Sequence, residues 1–229
     1  MTDPGNYKPA ELTLVDNTLK ELEPTLEKIR TAKKLDDKLE ETRKLVEWTK
    51  KSVGKDVTGL KKTVVFTLMA EKFYDVGGFF EPSENDKLNF KATDFFFKSF
   101  KSELIDFAFE RANLQNFNKE MFKGLVIAMA KVAREDQAFR SELIEKISQL
   151  LKTEKDVARG SMIMALDLVP LIKASELIAL LKSRKDDKIR SDDERAIYGA
   201  TINALQTAVG EKTDGKKPKE KINVAPANH

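Results

Sequence analysis

The side chains that most often carry chemistry are scarce in this chain. Among 229 residues there is no cysteine, and the one histidine is His229. Thiolate nucleophiles, disulfides, cysteine-ligated zinc and iron–sulfur clusters are thereby removed. A Ser-His-Asp triad, a histidine base and a multi-histidine metal site go with them. No GxGxxG or Walker-type glycine loop is present, and Gly77-Gly78 opens onto two phenylalanines. There is no GxSxG nucleophile elbow. Asp186-Asp187 and Asp192-Asp193 lack the spacing of a calcium loop and read as turn and cap residues. The 38 acidic residues offer carboxylate pairs, but one tryptophan cannot line a sugar cleft. No catalytic, cofactor-binding or metal-ligating residue is assigned, and the protein is expected not to be an enzyme.

Two kinds of binding residue remain. Phe79 and Phe80 sit at a loop edge between Gly77-Gly78 and Glu81-Pro82. They either fold back on the core or form a tip for a partner pocket or a membrane surface. Lys182, Arg184, Lys185, Lys188 and Arg190 crowd one inter-helix segment and are candidates for phosphate contact, diluted by Asp186 and Asp187. A second basic run, Lys216, Lys217, Lys219 and Lys221, lies in residues 210–229, which read as a polar tail without a core.

The elements that must position these residues are helices. Apolar residues recur at spacings of three and four, and interior proline and glycine are rare, so the chain reads as all-α. Three regions are expected: an N-terminal helical arm over 1–56, a Phe-rich helical core over 57–209 and the tail. The arm carries a seam of Leu12, Val15, Leu19, Leu22, Leu26 and Ile29, resumed by Leu35, Leu39, Thr42, Val46, Thr49 and Val53 after a slip near Ala32. Pro24 is expected to separate two helices or kink one. An amphipathic pair packed on its own domain is preferred to a coiled-coil arm.

All 14 phenylalanines fall within 66–139. One helix is expected over 57–75, a loop over 81–92 and a central helix over 93–113, apolar on most sides. Thr153-x-x-Asp156 and Ser191-x-x-Glu194 read as capping boxes, and Pro170 as a kink or an early end.

Ser-Glu-Leu-Ile occurs three times, at Ser102–Ile105, Ser141–Ile144 and Ser175–Ile178. Gly124, Gly160 and Gly199 interleave with it, each followed three residues later by Ile127, Ile163 or Ile202. Each unit would be a helix with a glycine near its start, a turn, then a helix carrying Ser-Glu-Leu-Ile. The glycine would admit a close neighbour, and the isoleucine would fill the same slot in each layer. Over 93–209 this spacing resembles the paired helices of HEAT and armadillo-type repeats. The resemblance implies a short α-solenoid; a multi-helix bundle is the other arrangement expected.

Net charge is +3, from 41 basic and 38 acidic residues, with the signs closely mixed. No run reaches the length of a membrane span, and the start lacks the pattern of a signal peptide, so a cytoplasmic location is expected. The reading is a helical protein–protein interaction or scaffold protein, with any self-association using short segments of the arm. The alternatives are a nucleocapsid-like nucleic-acid binder and a lipid-interacting helical protein.

Overall fold

The computed structural model describes residues 9–53, 59–74, 83–112, 119–153, 159–187 and 191–210, with the side chains of 9, 71–74, 102, 119–122 and 159 outside the description. Phe79, Phe80, Lys188, Arg190, Asp156 and the tail beyond Gly210 lie outside it. The described residues are all-α: α1 (Pro9–Thr31), α2 (Leu35–Val53), α3 (Leu60–Tyr74), α4 (Glu84–Lys98), α5 (Lys101–Ala112), α6 (Lys119–Glu135), α7 (Gln137–Lys152), α8 (Arg159–Leu171), a 3-10 turn (Ser175–Leu177), α9 (Ile178–Lys185) and α10 (Asp192–Val209).

The slip near Ala32 is a chain break: α1 and α2 are separate helices that pack on each other. Pro24 neither ends nor divides α1, because it is exposed and water can satisfy the carbonyl it leaves unpaired. Half of the expected seam is buried: Leu22, Leu26 and Ile29 on α1 and Thr42, Val46 and Thr49 on α2. Thr18, Leu22, Leu26 and Ile29 are buried on α1, whereas Leu12 and Leu19 are exposed. On α2 the buried stripe is Lys38, Thr42, Leu45, Val46 and Thr49, while Leu39 is only half-buried.

The expected loop over 81–92 is helical from Glu84 onward. Ser83 Oγ accepts from the Asp86 N–H at 3.2 Å, and the Asp86 carboxylate accepts from the Ser83 N–H at 2.9 Å. This capping box uses aspartate where glutamate is usual. The expected single helix over 93–113 is two helices. The Ser99 and Phe100 N–H groups bond three residues back, to Phe96 and Phe97, and tighten the chain into a break. Two helices with different buried faces explain why the stretch looks apolar all round.

Phe66 of α3 is the hub of the aromatic core. Its ring lies 5.0–5.8 Å from those of Phe96, Phe97, Phe100 and Phe107, mostly edge to face. That spacing is the favourable one for aromatic quadrupoles.

Beyond α4 the packing is regular. α4, α6, α8 and α10 contact one another in that order, as do α5, α7 and α9. Polar contacts follow the same step of two helices. Lys131–Asp94 (3.5 Å) joins α6 to α4, and Lys146–Asp106 (3.4 Å) joins α7 to α5. Arg134 to the Leu171 carbonyl (3.2 Å) joins α6 to α8. Tyr198 Oη donates to Met162 Sδ at 3.2 Å, joining α10 to α8.

The Ser-Glu-Leu-Ile copies fall on α5, α7 and the turn leading into α9, and the glycines on α6, α8 and α10. Leu104, Leu143 and Leu177 of the copies are all buried. The isoleucine after each glycine does not keep one slot: Ile202 is buried, Ile127 half-buried and Ile163 exposed. Only in α8 does the glycine lie in the first turn, and there it allows a close approach. A Cβ on Gly160 would sit 1.9 Å from the Ala112 carbonyl oxygen at the end of α5. The next residue, Ser161, donates to the Phe109 carbonyl at 3.2 Å.

Candidate interaction surface

Three helices of one row build a wide groove. α6 supplies Lys123, Val126 and Ile127, α8 supplies Leu166, Asp167, Pro170 and Leu171, and α10 supplies Ala200, Thr201 and Ala204. The groove encloses about 760 Å³. Its floor is fixed by buried neighbours on the same helices, among them Met129, Ala165, Val169 and Leu205. Alanines on α10 keep its wall low. Ile163 and Ile197, at 37% and 40% exposure, extend the apolar character along α8 and α10. Leu171, at 37%, stands at the α8 end, where Arg134 holds its carbonyl. Apolar lining with a few polar groups is the composition of a binding surface.

None of these residues was singled out as a binding residue by sequence pattern; Ile127 and Ile163 entered only as repeat positions and Pro170 only as a kink or an early end. The usable signal is that α8 is more apolar than burial requires: Met162-Ile163-Met164-Ala165-Leu166-Asp167-Leu168-Val169-Pro170-Leu171 leaves Ile163 and Leu171 in water.

A second cleft, about 530 Å³, runs between α7 and the 3-10 turn. Two of its charged groups, Arg140 and Glu176, pair with each other. Arg140 donates to Glu176 at 2.9 Å and to the carbonyls of Ile172 and Lys173 at 3.4 and 3.3 Å. Burial works to raise the Glu176 carboxyl, but the Arg140 hydrogen bond, a backbone hydrogen bond and the Arg140 charge together outweigh it and hold it below its ordinary value. At the start of α7, the Lys101 ammonium and the Phe139 N–H hold the Asp136 carboxyl below its ordinary value.

The described members of the basic cluster do not converge. The Arg184 guanidinium donates to the Leu151 and Lys152 carbonyls and so closes the end of α7. It also lies 3.6 Å from Asp187. Lys182 is exposed, and the Lys185 chain lies over Gly199 of α10. Ser191 caps α10 through the expected box, with Glu194. Thr153 instead closes α7, its N–H and hydroxyl both bonding the Gln149 carbonyl.

Sequence pattern also missed Lys38. It is fully buried, and Nζ donates to the carbonyls of Ile29 (2.6 Å) and Arg30 (3.1 Å) and to Asn89 Oδ1 (2.8 Å). One ammonium therefore caps α1 and ties it to α2 and α4. Burial pushes it below the ordinary lysine value, opposed by the Asp86 carboxylate.

Among the described residues no three histidine, cysteine, aspartate or glutamate side chains gather as metal ligands, and no helix is long and apolar enough to cross a membrane. The chain matches no protein-family model, and no curated protein or solved structure is significantly similar to it.

Proposed function

We propose that this is a non-enzymatic protein–protein interaction module whose HEAT-like helix pairs present the α6–α8–α10 groove to a polypeptide. The observation that carries the reading is that groove: walls from three helices, a largely apolar lining and about 760 Å³ of space. The repeat-like part rests on the two rows of helices, on contacts that step two helices at a time, and on the buried leucine in each Ser-Glu-Leu-Ile copy. Stacked helix pairs use one row of helices as an extended binding face. The nucleic-acid reading has less support, because Arg184 is committed to the carbonyls of α7 and Asp186 and Asp187 neighbour the remaining cations.

The test is a photo-crosslinking residue in place of the exposed Ala200. Irradiation is expected to give polypeptide adducts that Leu171→Glu abolishes. Adducts to RNA or lipid alone, or polypeptide adducts indifferent to Leu171→Glu, would overturn the reading.

A further inference from the structure

We infer that the occupant of the groove is the α1 helix of a second copy of this chain, so that copies join head to tail. The inference rests on the groove being a polypeptide-binding surface, and it names the partner.

The ridge that would enter is on the page. Leu12 and Leu19, seven residues apart, are 36% and 38% exposed on one side of α1. Asp16 and Glu23 share that side, so the ridge alternates leucine and acid at helical spacing. The half-buried Val15 borders it. From Leu12 to Glu23 the ridge runs about 16 Å at 1.5 Å per residue. Three helices packed side by side span about 16–20 Å between the outer axes. The ridge therefore fits across the groove.

Charge agrees with the match. The α6 edge carries Lys123 in the lining and Arg134 beside Leu171. With the ridge laid across the groove, the acid at one of its ends meets the cations of the α6 edge while the leucines face the apolar lining. Asp167 is the acidic exception in the groove, and Lys20, next to the ridge, is the group that suits it.

The contact lies between copies. α1 packs on α2, α3 and α4, of which α3 and α4 also touch α6, whereas α8 and α10 pack mainly on each other, α5, α6, α7, α9 and the 3-10 turn. Thr18, Leu22, Leu26 and Ile29 hold α1 in place, so its ridge cannot reach its own groove without leaving the core. A ridge on one copy and a groove on the next is a heterologous contact, which closes into a ring or propagates as a filament.

The experiment measures mass by light scattering over a concentration series, with thermal melting as the control for folding. The wild type is expected to grow beyond a dimer. A ridge variant, Leu12→Glu with Leu19→Glu, and a groove variant, Leu171→Glu with Ala204→Glu, should each be monomeric at unchanged melting temperature, since all four positions are exposed. Leu19→Ala alone, which introduces no charge, should weaken association at least about tenfold. The two charge variants mixed should give a dimer and nothing larger, because each retains one working half. A wild type that stays monomeric to millimolar concentration, an assembly that survives either variant, or a mixture that forms no dimer would overturn the inference. Polypeptide adducts at Ala200 to a different protein would then leave the interaction reading standing.

Discussion

Lys38 places a charge in the one position where the end of α1, the body of α2 and the start of α4 can all use it. Lys38→Met keeps the volume but leaves the Ile29 carbonyl and the Asn89 amide oxygen without the lysine, and the Arg30 carbonyl with only the Asn85 amide, and should cost about 2–3 kcal/mol in chemical denaturation. The same residue gives a pH signature. Its folded-state value lies below the ordinary 10.5, so between the two the unfolded chain binds more protons than the native one. Wild-type stability should therefore rise relative to Lys38→Met as pH climbs through that window; a falling difference would contradict the burial effect. Gly160 is the converse case, a residue that matters for what it lacks. Gly160→Ala drives a methyl group against a backbone oxygen that cannot swing aside, and should cost about 2–3 kcal/mol, whereas Gly199→Ala, whose nearest neighbour is the flexible Lys185 chain 3.5 Å away, should cost far less.

At the scale of elements, α8 ends on a residue poorly suited to the job. Lys173 adopts φ 52°, the left-handed conformation usually left to glycine. The Ala174 N–H reaches back to Val169 and the Lys173 N–H to Pro170, which completes the cap. Lys173→Gly should stabilise the protein by about 0.5–1 kcal/mol, read as a higher denaturation midpoint. The helix boundaries show what sequence can and cannot disclose. The α10 start was legible because Ser191 and Glu194 form the usual box. The α4 start was not, because Asp86 does the work of glutamate and the flanking polar residues resemble a loop. The break at Ser99-Phe100 was hidden by phenylalanines on both sides of it. The all-α class was legible because three-four periodicity is local. The seam was legible at Leu22, Leu26, Ile29, Thr42, Val46 and Thr49 but not at Lys38, which holds its buried position through hydrogen bonds that form only once α1, α2 and α4 meet. The groove was invisible for the same reason: three helices far apart in sequence make it together.

For the whole molecule, the account joins two exposed apolar features at separate places in the packing order, a ridge on α1 and a groove on α6, α8 and α10. Each alone is a modest patch of the kind soluble proteins carry. Together they are complementary in length, polarity and charge. Lysine crosslinking tests this most directly, on a mixture of unlabelled and isotope-labelled chains that separates contacts between copies from contacts within one. Lys20 flanks the ridge and Lys123 lines the groove, and both are exposed. The account predicts a Lys20–Lys123 crosslink of mixed isotope composition, lost in Leu12→Glu/Leu19→Glu. Mixed crosslinks confined to Lys20–Lys20, the mark of a symmetric arm-to-arm dimer, or to the α7 side through Lys146 and Lys152, would contradict it.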